Sequence, residues 1–178
     1  PVDRELTYPP KSLLAMNEID YWSKISSFLN ELEKKFKKKI IIAANPRSKL
    51  NKKLIKFEVI YGKTADLINR SFLVITHGSL AIQFAILWNK PIMFITMKGL
   101  PASASIDAHY PSKKLGLKVV NLNGSLKKNI NFKKVNKIAY EKFKTNYIYE
   151  KKLKDESSWD VVIRKLNLYI GEKKFETR

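Results

Sequence analysis

Residues 40–48 read IIIAANPRS, and residues 57–96 read FEVIYGKTADLINRSFLVITHGSLAIQFAILWNKPIMFIT. Four short apolar runs stand out: Ile40–Ala44, Phe57–Tyr61, Phe72–Thr76 and Ile92–Ile95. Each is β-branched or aromatic and nearly continuous, as strands covered on both faces are. Between them lie segments of helical character. Thr64–Arg70 starts with a potential cap and places Asp66 in its first turn. Residues 80–89 put Leu80, Phe84 and Leu87 on the inner side of a helix before Pro91 stops it and opens the next strand. Strand and helix alternate, which predicts a parallel, doubly wound α/β sheet.

Outward from this centre the pattern continues. Residues 20–36 carry Ile25, Phe28, Leu29, Leu32 and Phe36 on one helical face, with lysines at the end where the negative helix pole lies. Residues 97–113 read as a small-residue loop around Ala102-Ser103-Ala104-Ser105, in which Asp107 and His109 suggest a lid or an ordinary turn sooner than an acid-base pair. Leu117–Val120 reads as a last strand. Helices are expected near 132–146 and 157–170, after a Lys- and Asn-rich connection over 123–137. The expected division is an α/β domain over 1–150 and a helical tail over 151–178.

Composition bounds the function. The 178 residues are 44% hydrophobic and contain no cysteine, which removes disulfides and thiolate metal sites. Two histidines, His77 and His109, make no histidine-rich metal site, and no metal is expected. No apolar run reaches the roughly 20 residues that span a bilayer. The start does not resemble a signal peptide, so a reducing, cytoplasmic setting is expected. The net charge of +19 favours an anionic partner. It is spread along the chain, +8 over residues 1–110 and +11 over 111–178. Nucleic acid is not expected, because no basic-aromatic module of a known kind appears.

In an open parallel sheet, ligands bind beyond the carboxyl ends of the strands. Three segments fall there. Asn45-Pro46-Arg47-Ser48 offers an arginine for bidentate contact with a phosphate. Gly62-Lys63-Thr64 offers a turn into a helix start. Thr76-His77-Gly78-Ser79 offers backbone amides, a hydroxyl and a glycine at which a ligand approaches the backbone closely. No GxGxxG, Walker A or Gly-x-Ser-x-Gly pattern occurs, so nicotinamide cofactors, ATP and a nucleophile elbow lose their main support.

Residues 40–96 resemble the C-terminal, donor-binding domain of GT-B-fold bacterial glycosyltransferases of capsule and lipopolysaccharide assembly. They are more distantly similar to polysialyltransferases and CDP-glycerol glycerophosphotransferases. Pro46 and Arg47 match the family's His-Pro-Arg, Ser79 its serine-containing turn, and Lys90-Pro91 its Lys-Pro. Thr64–Leu67 matches the segment between them, and the stretch ending at Trp159 looks like the tail of such domains. The resemblance implies a Rossmann-like half of a GT-B architecture that binds a nucleotide sugar. Asn45, Pro46, Arg47, Ser48, Lys63, Thr64, His77, Gly78 and Ser79 would hold the donor. A glycan or lipid-linked glycan would accept the sugar, at the inner membrane surface, with no cofactor. Asn45 replaces the family's histidine, and asparagine carries no proton near neutral pH. The general base would come from an N-terminal domain or subunit that this chain does not supply, so no catalytic residue is named. A polyol-phosphate transferase with a CDP-linked donor, a nucleotide-sugar epimerase-like domain and a non-catalytic basic module for anionic glycan or membrane are the rival readings.

Overall fold

The computed structural model describes residues 16–100, 102–123, 135–149 and 163. The expected tail over 151–178 and its helix near 157–170 lie outside these apart from Ile163, as does most of the 123–137 connection. The elements run α1 (Glu18–Phe36), β1 (Ile41–Ala44), β2 (Glu58–Tyr61), α2 (Thr64–Arg70), β3 (Val74–Thr76), α3 (Ile82–Leu87), β4 (Ile92–Thr96), α4 (Ala102–Lys114), β5 (Val120–Asn121) and α5 (Lys137–Tyr147).

The strands pair in two small parallel sheets. β1 pairs with β2, Ile41 opposite Glu58 and Ala44 opposite Tyr61. β4 lies between β3 and β5, with Val74 opposite Ile92 and Thr96 opposite Asn121. Alternation along β4 explains the layering, since successive side chains point to opposite faces. Ile92 and Phe94 join a core with Ile68, Ile82, Ile86, Ala108, Leu115, Tyr140 and Phe143, from α2 to α5. Met93 and Ile95 join a second core with Trp22, Ile25, Phe28, Leu29 and Leu32 of α1. Helices thus cover this strand from both faces. The arrangement is a mixed α/β structure with parallel strands, compatible with a Rossmann-like fold.

Local chemistry sets the boundaries. The Asn17 side chain accepts the Asp20 amide at 2.8 Å and caps α1. The helix ends at Lys37, which takes a left-handed conformation and donates its amide to Glu33. α3 stops before Pro91 is reached. Asn89 adopts φ +52, and the Lys90 amide returns to the Ala85 carbonyl at 2.7 Å, a six-to-one closure of the helix end. α5 clamps this turn: Tyr140 donates to the Lys90 carbonyl at 2.9 Å, and the buried Lys144 ammonium bonds Asn89 at 3.1 Å and Glu141 at 2.7 Å.

Three expectations need correction. Leu80, Phe84 and Leu87 are exposed, and α3 buries Ile82, Ala85 and Ile86 instead. Thr64 is the first residue of α2 and not its cap; Lys63 holds that position without a side-chain bond. Residues 102–114 form α4 and not a loop. The buried residues Ala108, Pro111, Ser112 and Leu115 recur at helical spacing, but they are mostly small and leave little periodic hydrophobic signal. Asp107 and His109 therefore sit on an ordered helix. No helix among the described residues is long and apolar enough to cross a membrane.

Candidate functional site

Parallel pairing carries the exits of β1 and β2 to one edge. Asn45 begins a tight turn there. Its side-chain oxygen accepts the Arg47 amide at 2.9 Å, and the Ser48 amide and hydroxyl both donate to its carbonyl, at 2.9 and 2.7 Å. Asn45 and Ser48 are thereby committed to shaping the loop. The Arg47 side chain is left exposed, with no ion pair among the described residues. Gly62 follows β2 with φ +71, and a side chain there would lie 3.8 Å from Pro46. The two exits are neighbours. Lys63 is exposed beside them and Thr64 is half-buried. Asp66, the nearest acid in the sequence, pairs with Arg70 on α2.

The third segment, Thr76–Ser79, is built differently. His77 Nδ1 lies 3.1 Å from the Ile95 carbonyl, and its Nε2 lies 3.1 Å from the Tyr21 hydroxyl. A carbonyl only accepts, so Nδ1 carries the proton and Nε2 accepts from Tyr21. Burial holds the imidazole below its usual range, partly opposed by the bond to Ile95, and burial also pushes the Tyr21 phenol up. His77 is thus a neutral link from α1 through β3 to β4.

The turn also consumes its own donors. The Gly78 amide bonds Thr76 Oγ1 at 3.0 Å, and Ser79 Oγ accepts the Ala81 amide at 3.2 Å. The close approach that the sequence suggests for a ligand is made by α4. A Cβ at position 78 would stand 2.5–2.7 Å from the side chain, carbonyl carbon and carbonyl oxygen of Asp107. Pro111 contributes to this fit. It has no amide to give the carbonyl four residues back, that of Asp107, which is left to face the glycine. α3 is only six residues long, so its positive pole is weak. In the turn expected to cradle a ligand, the Gly78 and Ala81 amides are thus bonded locally, and Asp107 occupies the approach to Gly78. Ser79 remains exposed at this turn. No hydrogen bond or ion pair among the described residues joins it to Arg47, Lys63 or Thr64.

Tyr21 escaped the sequence reading, because its partner lies 56 residues away. Its position four residues before Ile25, on the apolar face of α1, was the available signal. The neutral histidine has a pH signature. As pH falls through about 6.5 the unfolded chain protonates this imidazole while the folded chain resists. Stability is therefore level above about pH 6.5 and declines below it. Thermal midpoints measured from pH 8 to pH 5 should show this decline in the wild type, and a shallower one in His77→Gln. Superimposable wild-type and variant profiles would remove the assignment.

Among the described residues no three His, Asp or Glu side chains gather into a metal-binding group. Comparison with protein-family models, curated proteins and solved structures returns no match.

Proposed function

We propose that the paired exits of β1 and β2 bind the diphosphate of an activated donor, as the donor half of a glycosyltransferase building a bacterial surface polysaccharide. One observation carries the reading. Pro46 and Gly62 lie side by side, and Arg47 and Lys63 stand exposed beside them. The order of motifs from Pro46 to Pro91 adds the resemblance to GT-B donor domains. Arg47 supplies a planar fork for two phosphate oxygens, and Lys63 a point charge. Thr64 supplies a hydroxyl. Neutralising a diphosphate leaving group needs fixed cationic donors and no proton carrier, a role compatible with Asn45 in place of histidine. The base and the acceptor site belong to a second domain or subunit, and the charge of +19 suits an anionic acceptor or membrane face.

Calorimetry with UDP, CDP, GDP and CMP tests this reading and identifies the donor. A diphosphate should bind more tightly than CMP, and Arg47→Ala should weaken the diphosphate about tenfold, the worth of one charge-assisted contact, while CMP bound elsewhere on the basic surface is unaffected. Preference for CDP would favour a polyol-phosphate donor. No nucleotide binding, together with salt-sensitive attachment to anionic vesicles or polyanions, would replace the enzyme reading with that of a basic module.

A further inference from the structure

A second concave site lies away from the β1 and β2 exits. α4 leaves the carboxyl end of β4 and runs back toward the start of β5. α5 is pinned to Asn89 and Lys90, just before β4 begins. The cleft between the last turns of these helices therefore opens toward the amino edge of the strands. It has a volume of about 420 Å³ and is lined by Tyr110, Lys113, Lys114, Lys142, Phe143, Asn146 and Tyr147. That volume is within the range of small-ligand sites.

Its lining holds three ammonium groups and no carboxylate. Glu141, the acid nearest in sequence, pairs with the buried Lys144. The lysines also face the negative poles of α4 and α5. Those poles amount to about half a charge each, so a surplus of roughly two positive charges remains. Lysine at a helix end is ordinary; three lysines gathered around exposed aromatic rings exceed what the dipoles require. Tyr110 and Tyr147 are 55% and 43% exposed, with hydroxyls 3.4 Å apart, and Phe143 forms a buried floor. Lys114 sits 5.5 Å from the centre of the Tyr110 ring. Tyr147 is held below its usual range chiefly by the bond from Tyr110; burial opposes this, and Lys114 and Lys142 lower it further.

We propose that this cleft binds a phosphate monoester carrying a flat ring. Lys113, Lys114 and Lys142 hold the phosphate, while Tyr110, Tyr147 and Phe143 hold the ring. Lysine ammonium groups suit a compact dianion, and aromatic faces suit a flat partner. The inference does not depend on the donor site at β1 and β2, and the two are tested separately.

Phenyl phosphate, inorganic phosphate and phenol are the probes, applied by calorimetry to the whole chain. Phenyl phosphate should bind at least about fivefold more tightly than inorganic phosphate, phenol should not bind, and added salt should weaken binding. The Lys113→Ala/Lys142→Ala double variant should lose about tenfold or more, and Tyr147→Ala should abolish the preference for the ring. Arg47→Ala should change nothing here. The ultraviolet titration of Tyr147, identified by its absence in Tyr147→Phe, should move to higher pH when phenyl phosphate neutralises the lysines. This last readout uses the wild-type lysines, so it stands even where the double variant fails to fold. Equal affinity for the two phosphates, retained affinity in a folded double variant, or an unmoved Tyr147 titration would each overturn the proposal.

Discussion

Gly78→Ala should lower the folding stability by about 2–6 kcal/mol. Two costs combine. A non-glycine residue forced to φ +137 bears about 1–3 kcal/mol of backbone strain. The methyl group also lands 2.5–2.7 Å from Asp107, two of whose three contacting atoms belong to the backbone of α4. Backbone cannot rotate aside, so α4 must shift, which adds about 1–3 kcal/mol. Gly116→Ala is the control. It has φ +67 but nothing within 4 Å, so it carries only the conformational cost, about 1–2 kcal/mol. Urea midpoints for the two variants decide the matter. Equal losses would mean that α4 is not seated on the turn as described.

Phe94→Ala should cost a similar amount, about 3–5 kcal/mol, by opening a cavity in the core between β4 and the helices on its far side. The ring is fully buried and shares its cluster with Ile86, Ala108, Leu115, Tyr140 and Phe143. The neighbouring side chain, Met93, points into the other core with α1. The damage should therefore be one-sided. Amide exchange in the variant should accelerate in α4 and α5 well before α1. The same acceleration in all three would show that the two faces are not separate packing units.

Much of the fold was legible because short, nearly continuous apolar runs mark parallel strands; Ile92–Ile95 is buried throughout, while Ile41 and Ala43 of β1 face outward. α1 was equally plain, since its apolar stripe is long and bulky. α4 was not. Its buried face uses Ala108, Pro111, Ser112 and Leu115, and a proline inside a run of small residues reads as a break. The structure tolerates Pro111 because the carbonyl it leaves unbonded is directed at a glycine.

The candidate site divides in the same way. The adjacency of Pro46 and Gly62 follows from placing two strands in parallel, which the pattern implied. The fate of the 76–80 turn did not, because Tyr21 and Asp107 reach it from elements 56 and 29 positions away. A glycine that admits a phosphate and one that admits a helix have the same sequence signature. Treating α4 as a loop also hid the lysine and tyrosine cleft, whose two walls belong to different helices.

The bond between Tyr21 and His77 bears on how the chain is made. α1 leaves the ribosome before the strands it packs on, and the ring that receives its phenol is synthesised 56 residues later. At about 5–20 residues per second this is a wait of roughly 3–11 seconds. Throughout it Trp22, Phe28 and Leu29 lack the buried Met93 and Ile95 of β4 and have only residues such as Ile42 and Val59 to cover them. The nascent α1 segment is thus a greasy, lysine-flanked ligand for holding chaperones, and its release should be timed by the emergence of β4.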